Sequence, residues 1–421
     1  MKNGRLHGKF SEKLSQKGFA IVSGMKTLYF YPIFLTMETF KGTIQTKLPK
    51  TGTSIFAVMS QMATENGALN LSQGFPDFPV SPELIDRVAH YMRKGYNQYA
   101  PMPGVPSLRR ALSGMFYDKY GVQYDPEKEI NITAGATQAL FTAISAFIKD
   151  EDEAIIFEPA YDCYAPAVTL NGGMVKYARL QFPDFSINWD ELPRMITHRT
   201  RLIIINSPQN PTGSILSRED MERLERITQG TDIIVLSDEV YEHLIFDGLQ
   251  HQSACLFPEL AKRTLVIGSF GKTFHATGWK TGFVLAPEKL MKEFRKVHQF
   301  VVFAGNTPVQ HAIADFIENK ENYLHLGAFY QAKRDFFVEG LKDARFNILP
   351  AKGTYFQLLD YSAISDKPEF EFAQWLVKEH KIAAIPVSSF YNNGDDHKIL
   401  RFCFAKKEET LAKAVKILSG I

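Results

Sequence analysis

Cysteine is scarce in this chain. Cys163, Cys255 and Cys403 are the only three in 421 residues. They lie far apart, with no CxxC pair, no metal-ligand spacing and no even set from which disulfides could form a framework. That excludes a stapled secreted module and fits a reducing, cytoplasmic setting. An excess of one charge is lacking too. Lysine and arginine number 48 against 46 acidic residues, a formal net charge of +2. With no basic run of five or more, there is no electrostatic reason to expect nucleic acid. The eleven histidines include no HExxH, so no metal is expected. Long hydrophobic runs are also missing. The N-terminal MKNGRLHGKFSEKLSQKGFAIVSGM is basic, and the apolar TLYFYPIFLTM behind it is too short to span a bilayer. No small-x-small cleavage site follows it, so neither a membrane partner nor a signal peptide is expected. Residues 1–36 are expected to be a disordered extension or a mis-assigned start. Internal repeats and low-complexity linkers are absent.

What remains is 45% hydrophobic and 22% charged, ordinary for a soluble globular protein. From about residue 129, β-branched runs alternate with helical spacing. The strand candidates are EINIT (129–133), AIIFE (154–158), MVKYA (174–178), RLIIIN (201–206), DIIVLSD (232–238), TLVIGS (264–269) and TGFVLA (281–286). Such unbroken apolar runs suit strands buried on both faces, as in a mostly parallel sheet. TQALFTAISAFI (137–148) and REDMERLERI (218–227) read as helices linking strands, which gives an α/β domain. One long helix is expected over 322–344. After it the rhythm changes: two strands around a glycine turn in FNILPAKGTYFQLLDY, a helix in FEFAQWLVKEHKI, a strand in ILRFCFA and a closing helix, an α+β unit of about a hundred residues.

Polar motifs collect at the ends of these strands, where sites gather in such folds. In NITAGATQAL (131–140) a strand runs through Gly-Ala-Thr into a helix. This is either a plain N-cap or a phosphate cradle of outward N–H groups, with Thr137 adding a hydroxyl. In NSPQNPTG (206–213) Asn210 sits in a turn that Gly213 relaxes. The turn either ends there or offers the Asn amide to a ligand oxygen. Asp238 follows four apolar residues in IIVLSDEVYEHL, where a carboxylate is costly unless partnered. It either caps a helix or holds a cationic ligand nitrogen, with Tyr241 nearby. Lys272 ends the buried run TLVIGS, in SFGKTFHATGWKTGF (269–283). Ser269, Thr273 and Lys280 would join it in a donor set for a dianion, and a desolvated lysine near another cation is lowered toward the neutral amine. A phosphate, a protonated ring nitrogen, a phenolic oxygen and an aldehyde are the needs of one ligand, pyridoxal 5′-phosphate.

With GATQAL, NPTG, SDEVY and SFGKTFHATGWKTGF in this order, the chain after about Met37 resembles the fold-type I, class I aminotransferases. The resemblance implies a large domain with a mostly parallel seven-stranded sheet and a smaller α+β domain. The boundaries are 37–85 for an N-terminal segment packed with the small domain, 86–325 for the large cofactor-binding domain and 326–421 for the small one. It implies that Lys272 binds the cofactor aldehyde covalently and is the catalytic residue, and that Asp238 pairs with the ring nitrogen. Asn210 and Tyr241 bind the phenolic oxygen, while Ala136, Thr137, Ser269 and Lys280 hold the phosphate. Many members carry arginine at Lys280, so a point charge stands here for a bidentate fork. Tyr161, in EPAYDCY, matches the aromatic residue that stacks on the ring. Arg401, in RFCFAKK, matches the arginine that grips the substrate α-carboxylate, with Gly74 of LSQGFPDF close to the same carboxylate. LSQGFPDF, NQYAPMPGVPSLR and HQFVVFAGNTP resemble the kynurenine–glutamine–methionine branch. That implies a homodimer with Tyr99 offered across the interface and Phe56 and Phe303 lining the side-chain pocket. The activity implied is transfer of the amino group of an apolar, thioether or aromatic L-amino acid, methionine favoured, to a 2-oxo acid. Kynurenine or glutamine transamination and β-elimination from cysteine S-conjugates are the alternatives.

Overall fold

The apolar runs assemble into one sheet. In the computed structural model, residues 39–49 and 51–421 are described, together with the backbone of Phe19–Ala20 and Tyr31–Pro32, which pair antiparallel. The chain divides into two units, Met1–Lys47 and Leu48–Ile421. In the first, residues 39–47 carry no helix or strand, and the expectation for residues 1–36 falls almost wholly outside the described residues. All that follows concerns Leu48–Ile421.

The large sheet contains β1 (Ile130–Thr133), β2 (Glu153–Glu158), β3 (Met174–Gln181), β4 (Ser186–Ile187), β5 (Thr200–Asn206), β6 (Ile234–Asp238), β7 (Thr264–Ser269) and β8 (Gly282–Leu285). Their order is β1-β8-β7-β6-β5-β2-β3-β4. All pairings from β7 through β3 are parallel. β8 runs antiparallel to both its neighbours. The seven expected strands are all present. The eighth, β4, is a two-residue addition antiparallel to β3, too short to leave a period in the sequence.

Alternation explains the apolar runs. Leu202, Ile204, Leu236, Leu265, Ile267 and Val284 face a cluster that includes Ala139, Leu140, Ala143 and Ile144 of the helix Ala136–Phe147. Their chain neighbours Ile203, Ile205, Val235, Val266, Phe283 and Leu285 face the other cluster. Successive side chains of a strand point to opposite faces, so a strand covered on both faces must be apolar at every position. Each fully buried aliphatic side chain contributes roughly 1.5–3 kcal/mol.

The second sheet contains β9 (Asn347–Ile348), β10 (Phe356–Asp360), β11 (Ile385–Pro386) and β12 (Ile399–Cys403), ordered β9-β10-β12-β11 and antiparallel throughout. Upstream residues lie beside it: Leu69–Asn70 and Ile382–Ala383 form a separate parallel pair, and the Cys403 N–H donates to the Leu71 carbonyl. The long helix expected over 322–344 is two helices, Glu321–Leu324 and Leu326–Gly340. Gly327 stands just after the break, and a Cβ there would lie 3.1 Å from the Ile245 carbonyl oxygen. A close approach of backbones thus shapes this end of the helix.

Register sets the site. Asn206 of β5 lies opposite Asp238 of β6, and Asp238 lies opposite Ile267 of β7. Gly282, the first residue of β8, lies opposite both Ser269 and Thr133. The carboxyl ends of β1, β5, β6 and β7 therefore open onto one edge of the sheet, the crevice position of open α/β folds.

Candidate active site

A cavity of about 280 Å³ lies at that edge. It is lined by Ala136, Thr137, Tyr161, Asn210, Asp238, Tyr241, Ser269, Lys272 and Lys280, and also by Gly74, Phe56 and Arg401. These residues come from segments as far apart as 56 and 401. Twelve of the fourteen residues that the family resemblance assigns to the site are thus brought together. Tyr99 and Phe303 are not among them: they meet each other edge to face, ring centres 5.5 Å apart, and are 85% and 44% exposed. Thr273 does not join the donor set either. It sits in the helical turn Phe270–Thr273, where its hydroxyl donates back to the Ser269 carbonyl at 3.1 Å and is consumed.

Asp238 is buried at the end of β6. Tyr164 donates its hydroxyl to Oδ2 at 2.6 Å, and the Val240 N–H donates to Oδ1 at 3.3 Å. Burial, reinforced by the neighbouring charge of Glu239, pushes the carboxyl up to about 6, against the pull of those two donors. Tyr164 lies inside the EPAYDCY motif, yet the sequence reading does not single it out. It opens the helix Tyr164–Leu170 three residues after Tyr161, one helical turn away, so the spacing alone could have found it. Replacing Tyr164 by phenylalanine removes a donor that favours the charged form. The Asp238 carboxyl should then hold its proton to a pH above 6, a change to be followed by carboxyl-carbon NMR titration of the cofactor-free protein. An unchanged titration would remove Tyr164 from this role.

The Lys272 amine is half-buried. Its Nζ donates to the Gly74 carbonyl at 3.0 Å and to the Tyr355 hydroxyl at 2.9 Å. Burial, aided by the nearby cations Arg401 and Lys280, pulls it from 10.5 down to about 8. The Tyr355 hydroxyl donates to the same Gly74 carbonyl, so one backbone oxygen holds both groups. A Cβ on Gly74 would lie 2.9 Å from the Phe356 ring, so a larger residue there would have to displace that ring. Tyr241 stands edge to face against Tyr355 at 5.1 Å, and burial raises its phenol.

The anion end is built by two glycines. Gly135 has φ 82°, in the left-handed region, and starts the helix whose first residues are Ala136 and Thr137. A Cβ on Gly135 would lie 3.5 Å from Cε of Lys280, so the ammonium rests against this turn. A Cβ on Gly282 would reach within 3.0 Å of the Ala136 nitrogen. Free N–H groups at a helix start, the Ser269 hydroxyl and a lysine form a donor set suited to a phosphate dianion. Together with a buried carboxylate at one end and a lowered amine between, the residues present fit pyridoxal 5′-phosphate.

Arg401 lies in the central strand β12, opposite Leu358 and Ile385. It is 1% exposed. Nη1 donates to Oδ1 of Asn210 at 2.6 Å and Nη2 to the Ser72 carbonyl at 3.1 Å, while Nε has no partner. Rings surround it: the guanidinium carbon is 3.8 Å from the Phe356 centroid and 5.2 Å from those of Phe56 and Phe390. Burial lowers it to about 10, still a cation at neutral pH. A buried guanidinium with an unpaired N–H calls for an anionic acceptor. Asn210 spends Oδ1 on Arg401, which leaves its Nδ2 to offer.

The family model described as aminotransferase class I and II matches residues 66–418. The chain is 48% identical over 375 residues to the methionine aminotransferase of Escherichia coli (strain K12), covering 89% of this chain and 97% of that one. It is 35% identical over 387 residues to kynurenine–oxoglutarate transaminase 1 of Homo sapiens, covering 83% and 92%. Among solved structures, an Escherichia coli protein described by crystal structure and reactivity as having a methionine aminotransferase function superposes with a TM-score of 0.88 at 47% identity, covering 90% of this chain and 100% of that one.

Proposed function

This chain belongs to the class I and II aminotransferases, and on that premise we propose that it moves the α-amino group of an apolar, thioether or aromatic L-amino acid, methionine first, to a 2-oxo acid. The observation that carries the choice of substrate is the 48% identity to a methionine aminotransferase. The aromatic wall of Phe56, Phe356 and Phe390 around Arg401 supports it, because rings take thioethers and aromatic groups through apolar and sulfur–ring contacts. Among the described residues lining the cavity, Arg401 is the one arginine, which speaks against a dicarboxylate specialist.

The family and fold are those of pyridoxal-phosphate-dependent enzymes. When bound, that cofactor supplies an aldehyde carbon and a conjugated ring able to take up the electron pair left at a substrate α-carbon. Lys272 would hold the aldehyde carbon between turnovers, and its Nζ, when free, would be the base that moves the substrate α-proton. Asp238 keeps the ring nitrogen protonated. Asn210 and Tyr241 would donate to the phenolic oxygen, and Tyr161 would stack on the ring. The Ala136 and Thr137 turn, Ser269 and Lys280 bind the phosphate. Arg401 and the backbone at Gly74 bind the α-carboxylate. The enzyme is a cytoplasmic homodimer working by ping-pong exchange, with the exposed pair Tyr99 and Phe303 delivered to the partner's cavity; an exposed aromatic patch of this kind suits an interface. Its segments divide at 37–85, 86–325 and 326–421.

A panel of amino donors against two oxo acids, read by product formation, tests this. Methionine should give the highest kcat/KM. Preference for kynurenine or glutamine, or pyruvate and ammonia from cysteine S-conjugates, would hand the site to those chemistries instead. Arg401→Lys keeps the charge but loses the fork, so KM for methionine should rise about 100-fold with kcat changed little. An unchanged KM would take the α-carboxylate away from Arg401.

A further inference from the structure

We propose that Gln138 is a positioning residue that fixes the phosphate-binding turn by capturing the Ala134 N–H with its side-chain oxygen. This rests on the reading above that Ala136 and Thr137 face a phosphate. A helix start has donors without intrahelical partners, and a phosphate needs those donors held in one direction. The helix begins at Ala136 with Gly135 as its cap, and no side chain caps it at that position. The third helical residue, Gln138, reaches back instead: its Oε1 accepts from the Ala134 N–H at 2.9 Å. This is half of a capping box, moved one residue upstream. It pins the residue just before Gly135, whose left-handed backbone would otherwise give the turn freedom.

The amide is itself held. Its Nε2 donates to the Thr142 hydroxyl at 2.6 Å and lies 3.2 Å from Nδ1 of His298. The Ala134 N–H fixes which end of the amide faces it, since an NH₂ there would set donor against donor. Nδ1 of His298 then accepts, which places the ring proton on Nε2. His298 is fully buried in the helix Glu288–Val301, and burial lowers it to about 4, so it stays neutral. A neutral ring leaves Nδ1 able to accept from the amide, while Nε2 has no hydrogen-bond partner. The chain of contacts thus runs from a buried histidine, through one amide, to the turn proposed to meet the anion.

Cofactor-free protein titrated with pyridoxal 5′-phosphate and with pyridoxal, read by absorbance, separates positioning of the phosphate turn from general support. In Gln138→Met the affinity for pyridoxal 5′-phosphate should fall at least about tenfold, while that for pyridoxal stays within about twofold. Equal losses for both, or an unchanged ratio, would overturn the assignment. Should Gln138→Met not fold, His298→Leu, which keeps the Gln138 oxygen but leaves its amide held by the Thr142 hydroxyl alone, decides: a smaller change of the ratio in the same direction supports it, and no change or parallel losses overturn it. Wild-type protein that does not prefer the phosphorylated aldehyde sinks the cofactor reading, and this inference with it. A wild type that does, beside a variant with the same ratio, sinks this inference alone.

Discussion

Replacing Lys272 by alanine is expected to cut transamination by about 10⁴-fold or more, with the protein still folded. In the proposed mechanism two tasks fall on one nitrogen, capture of the aldehyde and transfer of the α-proton, so no second group would inherit either. The environment is built for a neutral amine. At pH 7.5 a lysine at 10.5 is about 0.1% neutral, whereas one at about 8 is roughly a quarter neutral, a gain of two to three powers of ten. Capture of pyridoxal 5′-phosphate by the cofactor-free protein should therefore speed up as pH rises through about 8 and level off above it. For an exposed lysine the rise would continue to 10.5. The Gly74 carbonyl and the Tyr355 hydroxyl accept from this amine and also bond to each other, so the alanine variant keeps its cavity walls. A small primary amine added to the variant should restore a measurable part of the rate. Wild-type turnover in Lys272→Ala, or a capture profile centred near 10.5, would contradict the assignment.

How far the site can be read from the sequence follows from where each residue sits. Asp238 and Lys272 stand out because a charge at the end of a fully apolar strand carries a desolvation cost that needs a reason. Register then places Asn206, Asp238 and Ser269 on one edge, as βα alternation implies. Arg401 carries no such mark. It sits in mid-strand, and only its likeness to the family singles it out. Its neighbours Phe356 and Phe390 are not legible at all, since 13% of the chain is aromatic and nothing local tells a cavity ring from a core ring. Tyr355 reaches Lys272 across 83 positions, a contact no local pattern encodes. Thr273 misleads because nearness in sequence is not a shared direction: a helical turn sends its hydroxyl back to the chain. Tyr99 and Phe303 lie outside the cavity and pack on each other, since spacing along a chain does not fix which aromatic rings reach a site.

Asp238→Asn should lower kcat by on the order of 10³-fold while making the cofactor-free protein more stable at neutral pH. The two effects share one cause. The folded protein raises this carboxyl from 3.8 to about 6, so folding favours its protonated form. The sign follows from proton binding. Between those two values the folded state holds more protons than the unfolded chain, so stability contributed by the neutral acid is present below about 4 and is lost as pH climbs to about 6. At pH 7 the wild type bears an ionisation cost of up to roughly 3 kcal/mol, at about 1.36 kcal/mol for each tenfold change in proton affinity. Asparagine keeps the shape and can still accept from Tyr164, but it never ionises, so the variant avoids most of that cost. Set against it is the Val240 N–H, which meets an amide NH₂ in one of the two orientations and returns about 1 kcal/mol. Denaturant unfolding of both cofactor-free proteins at pH 5 and pH 7.5 should show the stability gap, variant over wild type, widening with pH. Adding pyridoxal 5′-phosphate should reverse the order, because ligand stabilisation follows affinity and only the wild type offers a carboxylate to a protonated ring nitrogen. A gap that stays constant with pH would mean that Asp238 ionises freely in the folded protein. A gap that survives saturation with the cofactor, beside undiminished kcat, would mean that the carboxylate is not what the ring nitrogen meets.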